Sequence, residues 1–180
     1  MRYILRTCDG REHYADYVKK CIPSVEICFD QGFGAMGNFL QSLEMSGDDP
    51  VVNLEDDIWI TNNFEKKIES VVSDKPNSVI QFFSMRKADL TEGSRWDSGR
   101  SYLMAQCTYF PEKMSRGILA FSKKYDNITH KSHPLDSMVA DYLNKARMKY
   151  WIHCPSLVDH RVGKSMIDPR RASTKDGING

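Results

Sequence analysis

Two rhythms of hydrophobic and polar residues run along this chain. Short apolar runs at Tyr3–Leu5, Val25–Phe29, Val51–Leu54, Val79–Phe83 and Lys149–Ile152 predict buried strands. Between them, apolar residues recur at helical spacing. Tyr14, Tyr17 and Val18 share one face of a helix that has Lys19 and Lys20 in its last turn and is stopped by Pro23. Phe39, Leu40, Leu43 and Met45 predict a helix over Asn38–Met45, entered through a flexible connection containing Gly32, Gly34 and Gly37. Phe64, Ile68, Val71 and Val72 predict a third helix, ended by Lys75-Pro76-Asn77. His133-Pro134-Leu135-Asp136 opens another, running through Met138, Val139, Tyr142 and Leu143. Further strands are expected at Tyr102–Tyr109, where the pairing is an antiparallel candidate, and at Gly117–Phe121. Residues 86–100 are polar and carry Trp96, so they read as a loop: either a lid or a merely mobile connection.

Strand, helix, strand, helix, strand is the order of a mostly parallel sheet covered by helices. The expected class is α/β, as a single domain over residues 1–180 with a basic tail from about 161. In such sheets ligands collect at the carboxyl ends of the strands. Arg11, Asp30 and Glu55-Asp56-Asp57 each follow a predicted strand, so one crevice can receive all of them.

The acidic triple is the strongest local feature. Three consecutive carboxylates at the end of a buried strand repel one another, and desolvating them is costly without a cation. Oxygen ligands of this kind suit Mg²⁺ or Mn²⁺ better than zinc. A solvated acidic turn, or a cap for the helix beginning near Asn62 or Asn63, is the plain alternative.

Composition adds little beyond this. The chain has 180 residues, 41% hydrophobic and 27% charged, with a net charge of +1. That balance gives no electrostatic reason for a nucleic-acid partner. Five scattered cysteines with no CxxC point to free thiols and a reducing cytoplasm. No apolar run has the length of a membrane span, and the N-terminus has no signal-peptide core.

Four segments together resemble the GT-A class of nucleotide-sugar glycosyltransferases, most closely its family 25 lipooligosaccharide-type enzymes and small viral or bacterial relatives. Leu54-Glu55-Asp56-Asp57-Ile58, with Phe64 downstream, is similar to the family's acidic metal motif. Gly117–Ser122 resembles its mid-chain strand. Pro134-Leu135-Asp136 resembles its proline-x-aspartate helix start. Pro155–His160, with Ser165 beyond, resembles its closing segment. The match spans about residues 3 to 166 and leaves Gly32–Gly34 and the 86–100 loop without counterparts.

The resemblance implies a GT-A-like, Rossmann-like sheet and a Mn²⁺- or Mg²⁺-dependent transfer from a nucleoside-diphosphate sugar. The acceptor would be a glycan, a protein or a modified DNA base. Thr7, Arg11, Asp30, Glu55, Asp56 and Lys164 would contact the donor, and Asp57 and His160 would hold the metal. Asp136 would be the base of an inverting reaction. Read without the resemblance, Asp136 is a helix cap, His160 an ordinary histidine, and Arg161, Lys164, Arg170, Arg171 and Lys175 a solvated basic tail. That tail could equally clamp a diphosphate or contact a nucleic-acid backbone. Trp96 and Tyr109 are candidates to stack on a sugar or base, with packing the alternative. His133 and His153 read as structural.

Two other functions share this pattern. A nucleotidyltransferase or pyrophosphorylase uses a similar sheet, but with a glycine-rich basic loop after the first strand. The stretch Arg6-Thr7-Cys8-Asp9-Gly10-Arg11 has one glycine. A non-catalytic sugar-nucleotide or partner-binding module would keep the fold and bind without turnover.

Overall fold

Alternation of buried side chains to opposite faces organises the molecule, a computed structural model of which describes residues 1–125 and 134–161. The elements, in order, are β1 (Arg2–Thr7), α1 (Glu12–Cys21), β2 (Glu26–Phe29), α2 (Gly34–Ser46), β3 (Val51–Glu55), β4 (Ile58–Ile60) and α3 (Phe64–Asp74). There follow β5 (Ile80–Gln81), α4 (Lys87–Glu92), β6 (Arg95–Ser98), β7 (Cys107–Phe110), α5 (Met114–Ser122), α6 (Pro134–Lys145), β8 (Lys149–Ile152) and β9 (Val158–His160).

Seven strands form one sheet in the order β2-β1-β3-β7-β5-β8-β6, and β4 pairs with β9 in a separate ribbon. β1 is parallel to β2 and β3, and β5 is parallel to β8. β7 is antiparallel to both β3 and β5, and β6 is antiparallel to β8. Five strands therefore share one direction, and the mostly parallel sheet flanked by helices expected from the sequence is the one observed.

Tyr3 and Leu5 of β1 pack on one side of this sheet with Val18 of α1 and Ile68 of α3. Ile4, on the opposite side, packs with Phe39 of α2, Ile118 of α5 and Val139 of α6. Val51, Val52 and Leu54 of β3 are fully buried, and each contributes roughly 1.5–3 kcal/mol by leaving water. Because α1 and α2 cover opposite faces, the chain reverses its winding between β1 and β3. A crevice opens at the carboxyl ends of strands at such a point.

Several local expectations are corrected. Gly117–Phe121 is not a strand; it lies within helix α5. The apolar run is short enough to fit either period, and Met114, Ser115 and Ile118 are buried at helical spacing. Residues 86–100 are not a loop: they form α4 and the edge strand β6. Their polarity reflects an edge strand with half its residues exposed. Trp96 of β6 stands opposite Trp151 of β8 and packs against it edge-on at 5.4 Å between ring centres. This excursion is tied down by Asp89, which pairs with Arg95 and accepts from Ser84, and by Arg86 on Asp97 at 3.3 Å. Helix α2 begins at Gly34, four residues before the expected start, with the glycine at φ 71°. Of Tyr102–Tyr109, the stretch from Cys107 joins the sheet, antiparallel as expected.

All five cysteines are free. No helix among the described residues is long and apolar enough to cross a membrane.

Gly99 marks where the 86–100 excursion docks. A methyl group there would lie 2.5 Å from Leu143 Cβ and 2.6 Å from the Met148 carbonyl oxygen. Gly99→Ala is predicted to cost about 1–3 kcal/mol through overpacking against the end of α6. Gly117→Ala meets the movable Tyr142 hydroxyl instead and is predicted to cost less. Urea denaturation of both variants checks the order; wild-type stability in Gly99→Ala would refute this docking.

Candidate active site at the carboxyl ends of β1 and β3

The site starts from strand register. Parallel pairing puts Arg6 of β1 opposite Glu55 of β3 and Thr7 opposite Phe29 of β2. The residues that leave these strands therefore emerge side by side. Asp56 and Asp57 form the bend between β3 and β4. The β4–β9 ribbon pairs Ile58 with His160 and so carries the far end of the chain back to the acids. Arg161 N donates to the Asp57 carbonyl at 2.8 Å and closes that ribbon.

The three acids each have distinct partners. Glu55 Oε1 accepts from Arg6 Nη2 at 3.1 Å. Asp56 Oδ2 accepts from the Thr7 hydroxyl at 2.6 Å, and its Oδ1 lies 2.7 Å from Arg11 Nη2. Asp57 Oδ2 lies 2.8 Å from the same Arg11 nitrogen and 3.4 Å from His160 Nε2. Asp57 Oδ1 is buried and accepts no hydrogen bond among the described residues.

Burial and pairing pull these groups in different directions. Burial raises Glu55 against the pull of Arg6, and the charges of Asp57 and Asp136 raise it further. Burial also raises Asp56, opposed by the Thr7 hydrogen bond and by Arg11. Burial pushes Asp57 up as well, but the His160 bond and charge, with Arg11, outweigh it and leave Asp57 at about 2. The same bond raises His160 above its ordinary value. Asp57 and His160 thus favour each other's charged forms, while burial disfavours the charged forms of Glu55 and Asp56.

Asp136 reaches this cluster from α6. It lies in the first turn of that helix, and its Oδ1 accepts from Ala105 N at 3.1 Å. The Ala105 carbonyl in turn accepts from Arg6 Nη2 at 3.1 Å. Asp136 is therefore bonded across to the segment preceding β7 and sits close enough for its charge to act on Glu55.

The structure brings together Thr7, Arg11, Glu55, Asp56, Asp57 and His160, with Asp136 beside them. Asp30 differs. Its amide donates to the Thr7 carbonyl at 2.8 Å, so it is adjacent. Its two carboxylate oxygens, however, accept from Phe33 N at 2.9 Å and Gly34 N at 3.1 Å, holding the start of α2. Lys164 and His133 lie outside the described residues, as do Arg170, Arg171 and Lys175. Tyr109 is core, 2% exposed, with its hydroxyl on the Pro76 carbonyl at 2.8 Å. His153 packs edge-on against Phe82, as a structural histidine would.

Arg6 and Arg161 take parts that the sequence reading did not give them. Arg6 is 5% exposed and donates from Nε to Asn53 Oδ1 at 2.7 Å, besides its bonds to Glu55 and Ala105. The signal was present: an arginine closing an apolar strand becomes a partner for Glu55 once β1 and β3 are paired. Arg161, expected in a basic tail, is held by three aromatic rings. Its guanidinium lies 3.7 Å from the Trp59 ring centre, 4.2 Å from Tyr17 and 4.9 Å from Tyr14. Its Nε donates to the Ile58 carbonyl at 3.0 Å. Contacts of this kind contribute roughly 0.5–2 kcal/mol each and anchor the segment that carries His160.

The chemistry of the donor set suits a hard divalent ion: carboxylate oxygen, one of it uncommitted, beside an imidazole. As arranged, the oxygens are shared with the chain's own cations. Among the described residues no three His, Cys, Asp or Glu form a ready metal cage.

No family model matches the chain, and no curated protein matches it. Among solved structures, A197 from STIV matches with a TM-score of 0.50 at 13% identity, covering 100% of this chain and 97% of that one. That likeness shows a shared fold. A Bacillus anthracis protein assigned as a glucose-1-phosphate thymidylyltransferase, in complex with a sucrose, matches at TM-score 0.47 and 11% identity, covering 87% of this chain and 90% of that one. An apo UDP-glucose pyrophosphorylase matches at 0.46 and 8%, covering 84% and 72%.

Arg6 is predicted to be the costliest residue of the site to remove. Arg6→Met leaves Glu55 and Asn53 facing each other without their cation, and should destabilise the fold by ~3 kcal/mol. Adding Glu55→Gln should recover part of that loss, because the uncompensated charge is gone. Denaturant titrations of the two single variants and the double variant test this coupling; additive losses would refute it.

Proposed function

We propose that this protein is a metal-dependent glycosyltransferase, moving a sugar from a nucleoside diphosphate to an acceptor hydroxyl on a glycan, a protein or a modified DNA base. One observation carries the reading. Thr7, Arg11, Asp56, Asp57 and His160 meet where the sheet reverses its winding between β1 and β3, with Asp136 beside them. A cluster of hydroxyl, guanidinium, carboxylate and imidazole at that point suits a diphosphate and its counter-ion.

Asp57 and His160 would hold a Mn²⁺ or Mg²⁺ ion. When bound, such an ion neutralises the charge that develops on the leaving diphosphate. Thr7, Arg11 and Asp56 would orient the diphosphate and ribose, and Glu55, held by Arg6, would set the electrostatic floor beneath them. Asp136 would take the proton of the acceptor hydroxyl in an inverting transfer. Its place at the start of a helix favours the ionised form that a base needs.

The metal assignment is tested first. Asp57→Ala should abolish the thermal stabilisation that Mn²⁺ and a nucleoside diphosphate confer together, while the protein stays folded. His160→Ala should weaken that stabilisation less, because the imidazole must give up its proton to take the ion and then brings it no negative charge. A screen of nucleoside diphosphates and nucleotide sugars, with and without Mn²⁺, identifies the donor. An unchanged Mn²⁺-dependent shift in Asp57→Ala overturns the assignment, and pyrophosphate release from a nucleoside triphosphate and a sugar phosphate points instead to nucleotidyl transfer.

The base is tested by Asp136→Asn. Asparagine keeps an oxygen to accept from Ala105 N, so stability and donor affinity should hold. Turnover should fall ~10²–10⁴-fold, the usual contribution of a general base. Single-turnover rates with the identified donor and acceptor measure it. Wild-type turnover in Asp136→Asn leaves this carboxylate a purely structural contact of α6.

A further inference from the structure

The acid cluster already holds a cation of its own. A single nitrogen, Arg11 Nη2, is shared between Asp56 Oδ1 at 2.7 Å and Asp57 Oδ2 at 2.8 Å. This is poor use of a guanidinium, whose fork is built for paired bonds to one anion. Arg11 Nε is buried and finds no hydrogen-bond partner among the described residues, and Asp57 Oδ1 is equally unpartnered. The arrangement leaves one donor and one acceptor unused within the same contact.

Arg11 also stands where it can move. It ends the Cys8–Arg11 turn just before α1, in a backbone conformation outside the helix, and follows Gly10 at φ 77°. Its guanidinium rests over the Tyr14 ring at 5.2 Å, a face that still supports the side chain if the carboxylates are given up.

We infer that Arg11 is a resident counter-cation occupying the seat of the divalent ion, and that it exchanges the two aspartates for the donor's diphosphate when the ion arrives. The inference rests on the metal-dependent reading above. A divalent ion held at Asp57 and the Arg11 guanidinium would compete for the same carboxylate, so each weakens the other's hold. Bare buried carboxylates are expensive, so the empty site keeps its arginine. A diphosphate offers that arginine the paired acceptors the aspartates do not provide. Ion and diphosphate then bind cooperatively, since each removes the obstacle to the other, and linkage makes the effect reciprocal. The device also keeps the ion out of a site with no donor in it.

Mn²⁺ alone is the probe. Free Mn²⁺ is counted by electron paramagnetic resonance during titration of the full chain as wild type, Arg11→Ala, Arg11→Gln and Arg11→Ala/Asp57→Asn. Arg95→Ala, which uncovers the separate Asp89, Glu92 and Asp97 group, controls for charge alone. Thermal melts establish which variants are folded, and Arg11→Gln, which keeps a polar side chain at the turn, replaces Arg11→Ala if the latter is not. The expected result is Mn²⁺ affinity at least tenfold above wild type in the Arg11 variants, reversed by Asp57→Asn and absent in Arg95→Ala. Equal Mn²⁺ affinity in wild type and folded Arg11 variants overturns the inference while leaving the metal site standing. No Mn²⁺ binding by any folded Arg11 variant overturns both. A gain of the same size in Arg95→Ala reduces the effect to net charge and also overturns the inference.

Discussion

Arg6 carries its charge into the sheet at 5% exposure, and its surroundings are arranged so that this charge is never without a partner. Its guanidinium bonds Asn53 and Glu55 of the neighbouring strand and the carbonyl of Ala105, and lies over the Phe39 ring of α2. Asn53 passes the connection on to Ser42 of α2 at 2.6 Å. One buried cation thus fixes β1 against β3, both against α2, and the segment that receives Asp136. A buried ion pair is a poor source of net stability, because desolvation offsets most of the attraction. What it supplies here is registry: a slip of β1 against β3 would leave Arg6 buried and apart from Glu55.

The cost of that arrangement is concentrated at the acids. Burial drives Glu55 and Asp56 upward, yet the chain sets three carboxylates in a row at the strand end. The acids are not left bare: Arg6, Arg11 and His160 meet them one by one. A surface turn would have solvated these groups without recruiting buried arginines. The cluster is better understood as a preformed electrostatic site whose counter-charges are built from elements far apart in sequence, and such clustered, perturbed carboxylates are characteristic of functional sites.

The first half of the chain was legible because each element obeyed one rule. β1, α1, β2, β3 and α3 have unambiguous apolar periods, clean stops such as Pro23 and Pro76, and lengths that exclude the other assignment. The second half was not, because packing overrode pattern. Gly117–Phe121 reads as a strand by composition, but Gly117 lets α5 approach Tyr142 of α6 closely, and only the tertiary context shows that. The 86–100 stretch reads as a loop because an edge strand facing solvent has no apolar face to declare itself, and its ion pairs, Asp89 with Arg95 and Arg86 with Asp97, form only once the stretch folds back on itself. At the site, the acids and Asp136 were legible as local motifs. The roles of Arg6, Arg11 and Asp30 depended on register and loop geometry, which no spacing along the sequence encodes. The revised α5 also removes one of the four segments behind the family resemblance, leaving the acidic motif, the Asp136 helix start and the closing segment to carry it.

The closing segment shows why these remnants still belong together. His160 would be an ordinary histidine if β9 were loose, since nothing in Pro155–His160 itself directs it to an acid. The direction comes from β4, which leaves the acidic bend at once and pairs Ile58 with His160, and from Leu157, whose amide is held by the Phe82 carbonyl at 2.9 Å beside the end of β5. Arg161 then locks the ribbon, its guanidinium resting on Trp59 of β4 and on Tyr14 and Tyr17 of α1. The helix that carries Tyr14 begins one residue after Arg11. The two cationic groups that touch Asp57, Arg11 and His160, are therefore set by the same helix face and ribbon, one from the start of the chain and one from its far end. α1 therefore supports both, with Arg11 at its start and Tyr14 and Tyr17 holding the arginine that closes the His160 ribbon.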